Sequence, residues 1–267
     1  MKEKQRLKNP VAKFIILSNI IFIPLFLLTG ITMMLGFPKV VFDIMLCIAS
    51  WSSTFAFLIL FKRLYPGQSI IVYIRAKFKN KVNWKTIVNV VLIQSFIFIC
   101  IIYAIRIKDN VQESAFTVSS VGMLIYFFFK NLFAGPLGEE LGWRGFVGQE
   151  LQKKYSPLKS AIIIGFGWGI WHAPIWLTTG LIGKQLIMYI VLFMASVIAI
   201  SIIMTAFYNL NKNLIIPIII HQLFNFFIGL LNGNIIELLG LNAFYYSIMA
   251  IILIVINPKY SLYSTKE

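Results

Sequence analysis

The stretch VGMLIYFFFKNLFAGPLGEELGWR, Val121 to Arg144, decides how the rest of the chain is read. Its first half is apolar apart from Lys130 and Asn131, which suits a helix surrounded by lipid. Gly135-Pro136 then interrupts that helix, because proline lacks the N–H that the hydrogen-bond ladder needs. Two adjacent carboxylates, Glu139 and Glu140, follow the break, and Arg144 lies four residues beyond Glu140. Ionisable groups at membrane depth cost several kcal/mol and persist where they do something. The stretch therefore predicts a membrane-crossing helix whose interruption carries a functional site.

Working outward, apolar blocks of bilayer length recur on both sides. A helix needs about 20 residues to cross the hydrocarbon core. Phe14–Leu35, Val40–Phe61 and Thr86–Ile105 precede the opening stretch; Ala161–Leu177, Leu186–Tyr208, Leu214–Leu231 and Phe244–Ile256 follow it. The composition agrees: 59% hydrophobic and only 12% charged residues, against about a quarter charged in soluble domains. The fold class expected is all-α, a polytopic transmembrane helical bundle of about eight spans, and Pro258 is expected to end the last helix. Three regions are expected: 1–120 with spans one to three, 121–231 as a core of spans four to seven, and 232–267 with the final span and tail. Cys47 and Cys100 fall inside apolar blocks and read as small buried hydrophobes without a disulfide framework.

The formal charge of +15 raises the question of nucleic acid. The basic residues sit between apolar blocks instead of forming a stripe with interleaved aromatics, so no nucleic-acid partner is expected. Their distribution is topogenic, since cytoplasmic loops collect Lys and Arg. With the amino terminus inside, the cytoplasmic side receives the basic head of residues 1–13, the connection from Lys62 to Lys85, Lys153, Lys154, Lys159, Lys212, Lys259 and Lys266. The outer side receives Lys39, Arg106, Lys108 and Lys184. Both termini are thus expected in the cytoplasm. Within the long basic connection, Ser69–Ile74 reads as a short piece lying along the headgroups.

Both histidines of the chain fall inside spans: His172 in the run Trp168 to Pro174, and His221 four residues before Asn225. Residues four apart share a helix face. Trp168 therefore lies one turn from His172, His221 and Asn225 point the same way, and Glu140 can pair with Arg144. Glu139, about 100° round the helix from Glu140, faces elsewhere. A carboxylate with a neighbouring imidazole can take a proton from water, and an imidazole with a carboxamide can stabilise an oxyanion. Two His and one Glu can also hold zinc with an open position, so the metal question stays open, with Glu139, His172 and His221 as candidate ligands. Asp43 is placed at the hydrated outer end of its span, and Lys130 has no assigned partner.

These residues resemble the CPBP intramembrane endopeptidases, also called the Abi or CAAX-protease family. The family's motifs are Glu-Glu-x-x-x-Arg, Phe-x-x-x-His and His-x-x-x-Asn/Asp. The chain shows Glu139-Glu140-x-x-x-Arg144, Trp168-x-x-x-His172 and His221-x-x-x-Asn225, in that order. The resemblance covers about Val121 to Leu231, and Trp168 departs from it by replacing phenylalanine. It implies that Glu139 with His172 activates water, that His221 and Asn225 stabilise the oxyanion, and that Glu140, Arg144 and Trp168 give structural support. It implies a hydrolase of membrane-associated proteins or peptides, in CAAX-type processing, bacteriocin or signal-peptide maturation, or self-immunity. A glutamate mechanism needs no cofactor. The expected location is the membrane, with lipid and a protein or peptide substrate as partners, and a bacterial plasma membrane as host. Two alternatives are weighed, a proton-coupled transporter and a non-catalytic immunity or scaffold protein.

Overall fold

The structure, a computed structural model, describes residues 9–109 and 116–257. The basic residues before Asn9, Glu113, the expected stop at Pro258, and Lys259 and Lys266 lie outside the described residues. The elements in order are α1 (Pro10–Met34), α2 (Lys39–Ser50), α3 (Ser52–Leu64), α4 (Ile70–Phe78), α5 (Trp84–Asp109), α6 (Val121–Phe133) and α7 (Pro136–Gly142). A π-helical turn (Trp143–Val147) follows, then α8 (Gly148–Gln152), α9 (Pro157–Trp171), α10 (Ala173–Trp176), α11 (Gly183–Asn211), α12 (Ile215–Leu230) and α13 (Ile235–Ile256). Strand pairing among the described residues is limited to one isolated bridge, Phe116 with Leu231. The fold is an all-α bundle.

Among the described residues, six helical stretches are long and apolar enough to cross a membrane: Pro10–Met34, Lys39–Leu64, Trp84–Ile107, Val121–Gln152, Gly183–Asn211 and Ile235–Ile256. Two further apolar helices, α9 and α12, are shorter, with 15 and 16 residues. Large apolar side chains such as Ile16, Ile20 and Leu27 on α1 and Leu92, Phe96 and Ile99 on α5 point away from the protein. Exposure on that scale would be a liability in water and is natural in lipid. The chain is an integral membrane protein.

The final helix starts at Ile235, well before the expected Phe244. Glu237, Gly240 and Asn242 break the apolar run in the sequence, yet the helix runs through all three. Asn234 caps the helix by accepting from the amides of Ile236 and Glu237, Glu237 sits in the first turn where the helix dipole favours an acid, and Asn242 is buried. The expected span Ala161–Leu177 is also divided. α9 ends at Trp171, and His172 stands at the joint with α10, where Pro174 follows.

Close backbone approaches fix the core helices. A Cβ on Gly165 of α9 would lie 2.8 Å from the Cα of Ile198 on α11, and Ser201 of α11 donates to the Ala161 carbonyl at 2.9 Å. Small residues let membrane helices meet this way. The α7 segment is seated against α1 and α3. A Cβ on Gly138 would meet the Trp51 ring at 2.5 Å, and the Ser53 and Thr54 hydroxyls both donate to the Gly138 carbonyl, at 3.1 and 2.7 Å. The break at Gly135-Pro136 frees the Phe133 carbonyl, which accepts from the Trp51 indole at 2.9 Å. Irregular backbone at membrane depth survives when protein groups satisfy it in this way.

The basic connections gather at one end of the bundle. Asn9, Tyr65, Glu150, Lys153 and Lys154 line one cleft, the Leu214 amide donates to the Lys77 carbonyl, and Asn213 donates to the carbonyls of Phe78 and Asn80. Helix α4 covers Ser69–Ile74 only in part: it starts at Ile70 and runs on to Phe78. Tyr73 and Lys77 face the protein while Ile71 and Val72 face outward.

Candidate active site

Glu139, Trp168, His172, His221 and Asn225 all line one cavity of about 260 Å³, bounded on its apolar side by residues including Phe22, Leu46 and Phe193. Four elements deliver these groups: α7 just after the proline break, α9, the joint before α10, and α12. Glu139 and His221 are buried; His172 and Asn225 are half-buried. The site is thus wet enough for a small reactant and enclosed by helices.

Glu139, Glu140, His172 and His221 each meet a protein partner. Arg144 Nη1 donates to Glu140 Oε1 at 3.0 Å, and His221 Nδ1 meets the same oxygen at 2.8 Å. Glu140 is fully buried, with only 2% of the Arg144 and His221 side chains exposed. The π-helical turn carries Arg144, and π-bulges are frequent at functional sites. The pairing of Glu140 with Arg144 is the one the i,i+4 spacing suggests. The third member, His221, lies 81 residues away, and helical spacing offered no signal for it.

Glu139 is turned away from Glu140 but has a partner of its own. The Trp168 indole N–H donates to its Oε2 at 2.6 Å. His172 Nδ1 lies 2.7 Å from the Trp168 carbonyl. A carbonyl only accepts, so Nδ1 carries the proton and the neutral ring keeps its lone pair on Nε2. Gly135 stands between the two sides of the site: a Cβ there would lie 3.2 Å from Asn225 Nδ2 and 3.8 Å from Glu139 Oε1.

Among the described residues no three of His, Cys, Asp and Glu stand together as a metal-holding group, and Glu139, His172 and His221 do not make one. Trp171 packs against the site: its ring lies 4.3 Å from Phe22 and 4.7 Å from the His172 ring. Lys130, without a partner in the sequence reading, meets Asp43 Oδ1 at 2.6 Å, and the Tyr126 hydroxyl donates to the other Asp43 oxygen. The pair joins the second and fourth spans, so no local spacing signals it.

Residues 121–227 match the family described as type II CAAX prenyl endopeptidase Rce1-like. A similar curated protein, CAAX prenyl protease 2 of Methanococcus maripaludis, is 32% identical over 152 residues, covering 54% of this chain and 56% of that protein. The similarity to the Rce1-like family covers residues 121–227 of the chain. The chain spans about half the length of the curated relative it matches. The Rce1-like segment begins at the first residue of α6 and stops two residues past Asn225, so Glu139, Trp168, His172, His221 and Asn225 all fall inside it. Helices α1 to α5 and α13 lie outside the Rce1-like match.

Proposed function

We propose that the chain is an intramembrane endopeptidase that cleaves a membrane-associated protein or peptide with a water activated by Glu139 and His172. The single observation carrying this reading is the convergence of Glu139, His172, His221 and Asn225 on one helix-enclosed cavity. A water between Glu139 and the Nε2 of His172 would give its proton to the carboxylate and attack the scissile carbonyl. Asn225 Nδ2 and His221 Nε2 would then donate to the oxyanion. Because His221 Nδ1 faces Glu140, donation from Nε2 requires the imidazolium. That charge fits the site: Arg144 and a protonated His221 together balance the two carboxylates. The proton held by Glu139 would pass to the leaving amine.

The relative is named for a CAAX prenyl substrate, and the apolar wall of the cavity suits an apolar group beside the scissile bond. A prenylated CAAX peptide is therefore the first substrate to test, and an unmodified peptide of the same sequence the second. The basic end of the bundle is placed in the cytoplasm by the positive-inside rule. Water activation is assigned to protein side chains, so cleavage should continue in the presence of a chelator.

The test uses purified protein in liposomes with both peptides. Glu139→Gln and His172→Ala should each lower cleavage about 10²–10⁴-fold with unchanged membrane insertion. Full cleavage by both variants would overturn the assignment and leave a scaffold role. Proton-coupled uptake by the wild type without cleavage would favour a transporter.

A further inference from the structure

We propose that Trp168 is a positioning residue that sets the geometry of both groups assigned to water activation: its indole N–H fixes Glu139 and its carbonyl fixes His172. The inference rests on the proposed peptidase reading and deepens it.

The indole half of this geometry is specific to tryptophan, while the carbonyl half belongs to the main chain at this position. The indole donates to Glu139 Oε2 at 2.6 Å, which leaves Oε1 on the side of the cavity bounded by Gly135 and Asn225. One turn along α9, the Trp168 carbonyl accepts from His172 Nδ1 at 2.7 Å, so Nε2 is the nitrogen left to meet a water. The ring cannot easily swing away. The Arg144 guanidinium carbon lies 4.2 Å from the centre of its face, and the His221 ring stands edge-on at 4.8 Å. Trp168 is 2% exposed, so water does not substitute for the indole N–H. A phenylalanine, which the motif resemblance leads one to expect here, would fill most of this space but offer no donor. A carboxylate without its donor would be free to rotate about its last torsion, which is soft, and the attacking oxygen would lose its fixed direction.

Simple packing is the rival account of a buried aromatic, and shape-preserving chemistry separates the two. Benzothienylalanine incorporated at position 168 keeps the fused ring and replaces the N–H by sulfur; Trp168→Phe is the ordinary counterpart. If Trp168 positions Glu139, the isostere should lower kcat about 10–100-fold, as for a lost hydrogen bond to a charged group. KM should stay within about 2-fold and the apparent melting temperature should match wild type, because the contact area is kept. In the Glu139→Gln background the isostere should lower the residual rate no further, since the group it positions is gone. Wild-type kcat for the isostere would overturn the inference, as would a fall in kcat accompanied by an equal loss of stability. The peptidase reading fails separately, if Glu139→Gln itself retains full cleavage.

Discussion

Two acid clusters at membrane depth contain the same kinds of group and differ in what surrounds them. Glu140 is joined to Arg144 and His221, and the carboxylate is fully enclosed. Asp43 is joined to Lys130 and Tyr126, with 26% of the lysine side chain exposed; the aspartate itself, expected at a hydrated helix end, is buried with 9% of its side chain exposed. The first cluster links α7 to the π-helical turn and to α12, behind the cavity wall; the second links α2 to α6, a helix with no buried residue. A charge that water can reach keeps most of its solvation, so its partner is worth little. A charge that water cannot reach depends wholly on its partners. Enclosure, more than the presence of a charge in a span, separates a group that organises a site from one that fastens an edge.

The sharpest way to break this comparison is to remove one partner from each cluster. Arg144→Met leaves Glu140 buried with His221 as its remaining partner, and removing one member of a buried pair costs about 3–5 kcal/mol. We expect little folded protein at 37 °C, measured as the fraction surviving detergent size exclusion after heating. The double variant Glu140→Leu with Arg144→Met should recover the fold, since replacing both charges is often neutral. It should not recover cleavage, because His221 then has no acceptor for Nδ1 and no charge to balance. A double variant that cleaves at the wild-type rate would show that Glu140 has no part in setting up His221.

A second change acts on the seat that separates the clusters. Gly138→Ala places a methyl 2.5 Å from Trp51, and Trp51 is itself tied to the Phe133 carbonyl. Overpacking of this kind costs about 1–3 kcal/mol. The expected outcome is a lowered melting temperature and lowered cleavage together, as α7 moves and carries Glu139 with it. Trp51→Ala should restore part of the activity of Gly138→Ala. Cleavage equal to wild type in the single variant would mean that α7 has more room than the close approach implies.

What the sequence revealed follows from the same distinction. Apolar runs and the Gly135-Pro136 break identified the bundle and the interrupted helix, because lipid imposes simple rules on span length and on exposed backbone. Local spacing identified Glu140 with Arg144 and Trp168 with His172, pairs of the site that each lie within a single helical turn. It could not supply His221 at Glu140 or Trp168 at Glu139, since both depend on how α7, α9 and α12 are brought together. Asp43 and Lys130 stayed unpaired for the same reason. The start of α13 was missed because Glu237 and Asn242 resemble a loop until the cap and the burial are seen.

The outer cluster should respond mildly. Asp43→Asn and Lys130→Met are each expected to change stability by about 0–1 kcal/mol, read as a small shift in melting temperature, and to leave cleavage within about 2-fold. Any effect should shrink at high salt, because partly exposed pairs are screened. A loss comparable to that of Arg144→Met would abolish the contrast between the clusters.

The smallest expected effect lies at the basic end, where a buried cation has no acid partner within hydrogen-bonding reach among the described residues. Lys77 is buried, donates to Gln149 Oε1, and lies 4.2 Å from the centre of the Tyr73 ring; Gln149 in turn donates to the Tyr208 hydroxyl at 2.8 Å. Burial, and then the nearby Lys153, lower its pKa from 10.5 to about 8, with Glu150 opposing the shift. Below about pH 8 both the folded and unfolded chains hold this proton, and the folded state bears the cost of a desolvated ammonium. Between about pH 8 and 10.5 the unfolded chain binds the proton that the folded chain has released, so stability rises with pH across that window. Tyr73 works against this above pH 10, because burial raises its pKa and the folded chain then keeps a proton that the unfolded chain loses. The informative quantity is therefore the difference between wild type and Lys77→Met from pH 7 to 10. Lys77→Met should melt higher at pH 7, and the gap should close as the pH approaches 10. A gap that stays constant would mean that Lys77 reaches water, as Lys130 does, and that enclosure at this end is too shallow to tax a charge.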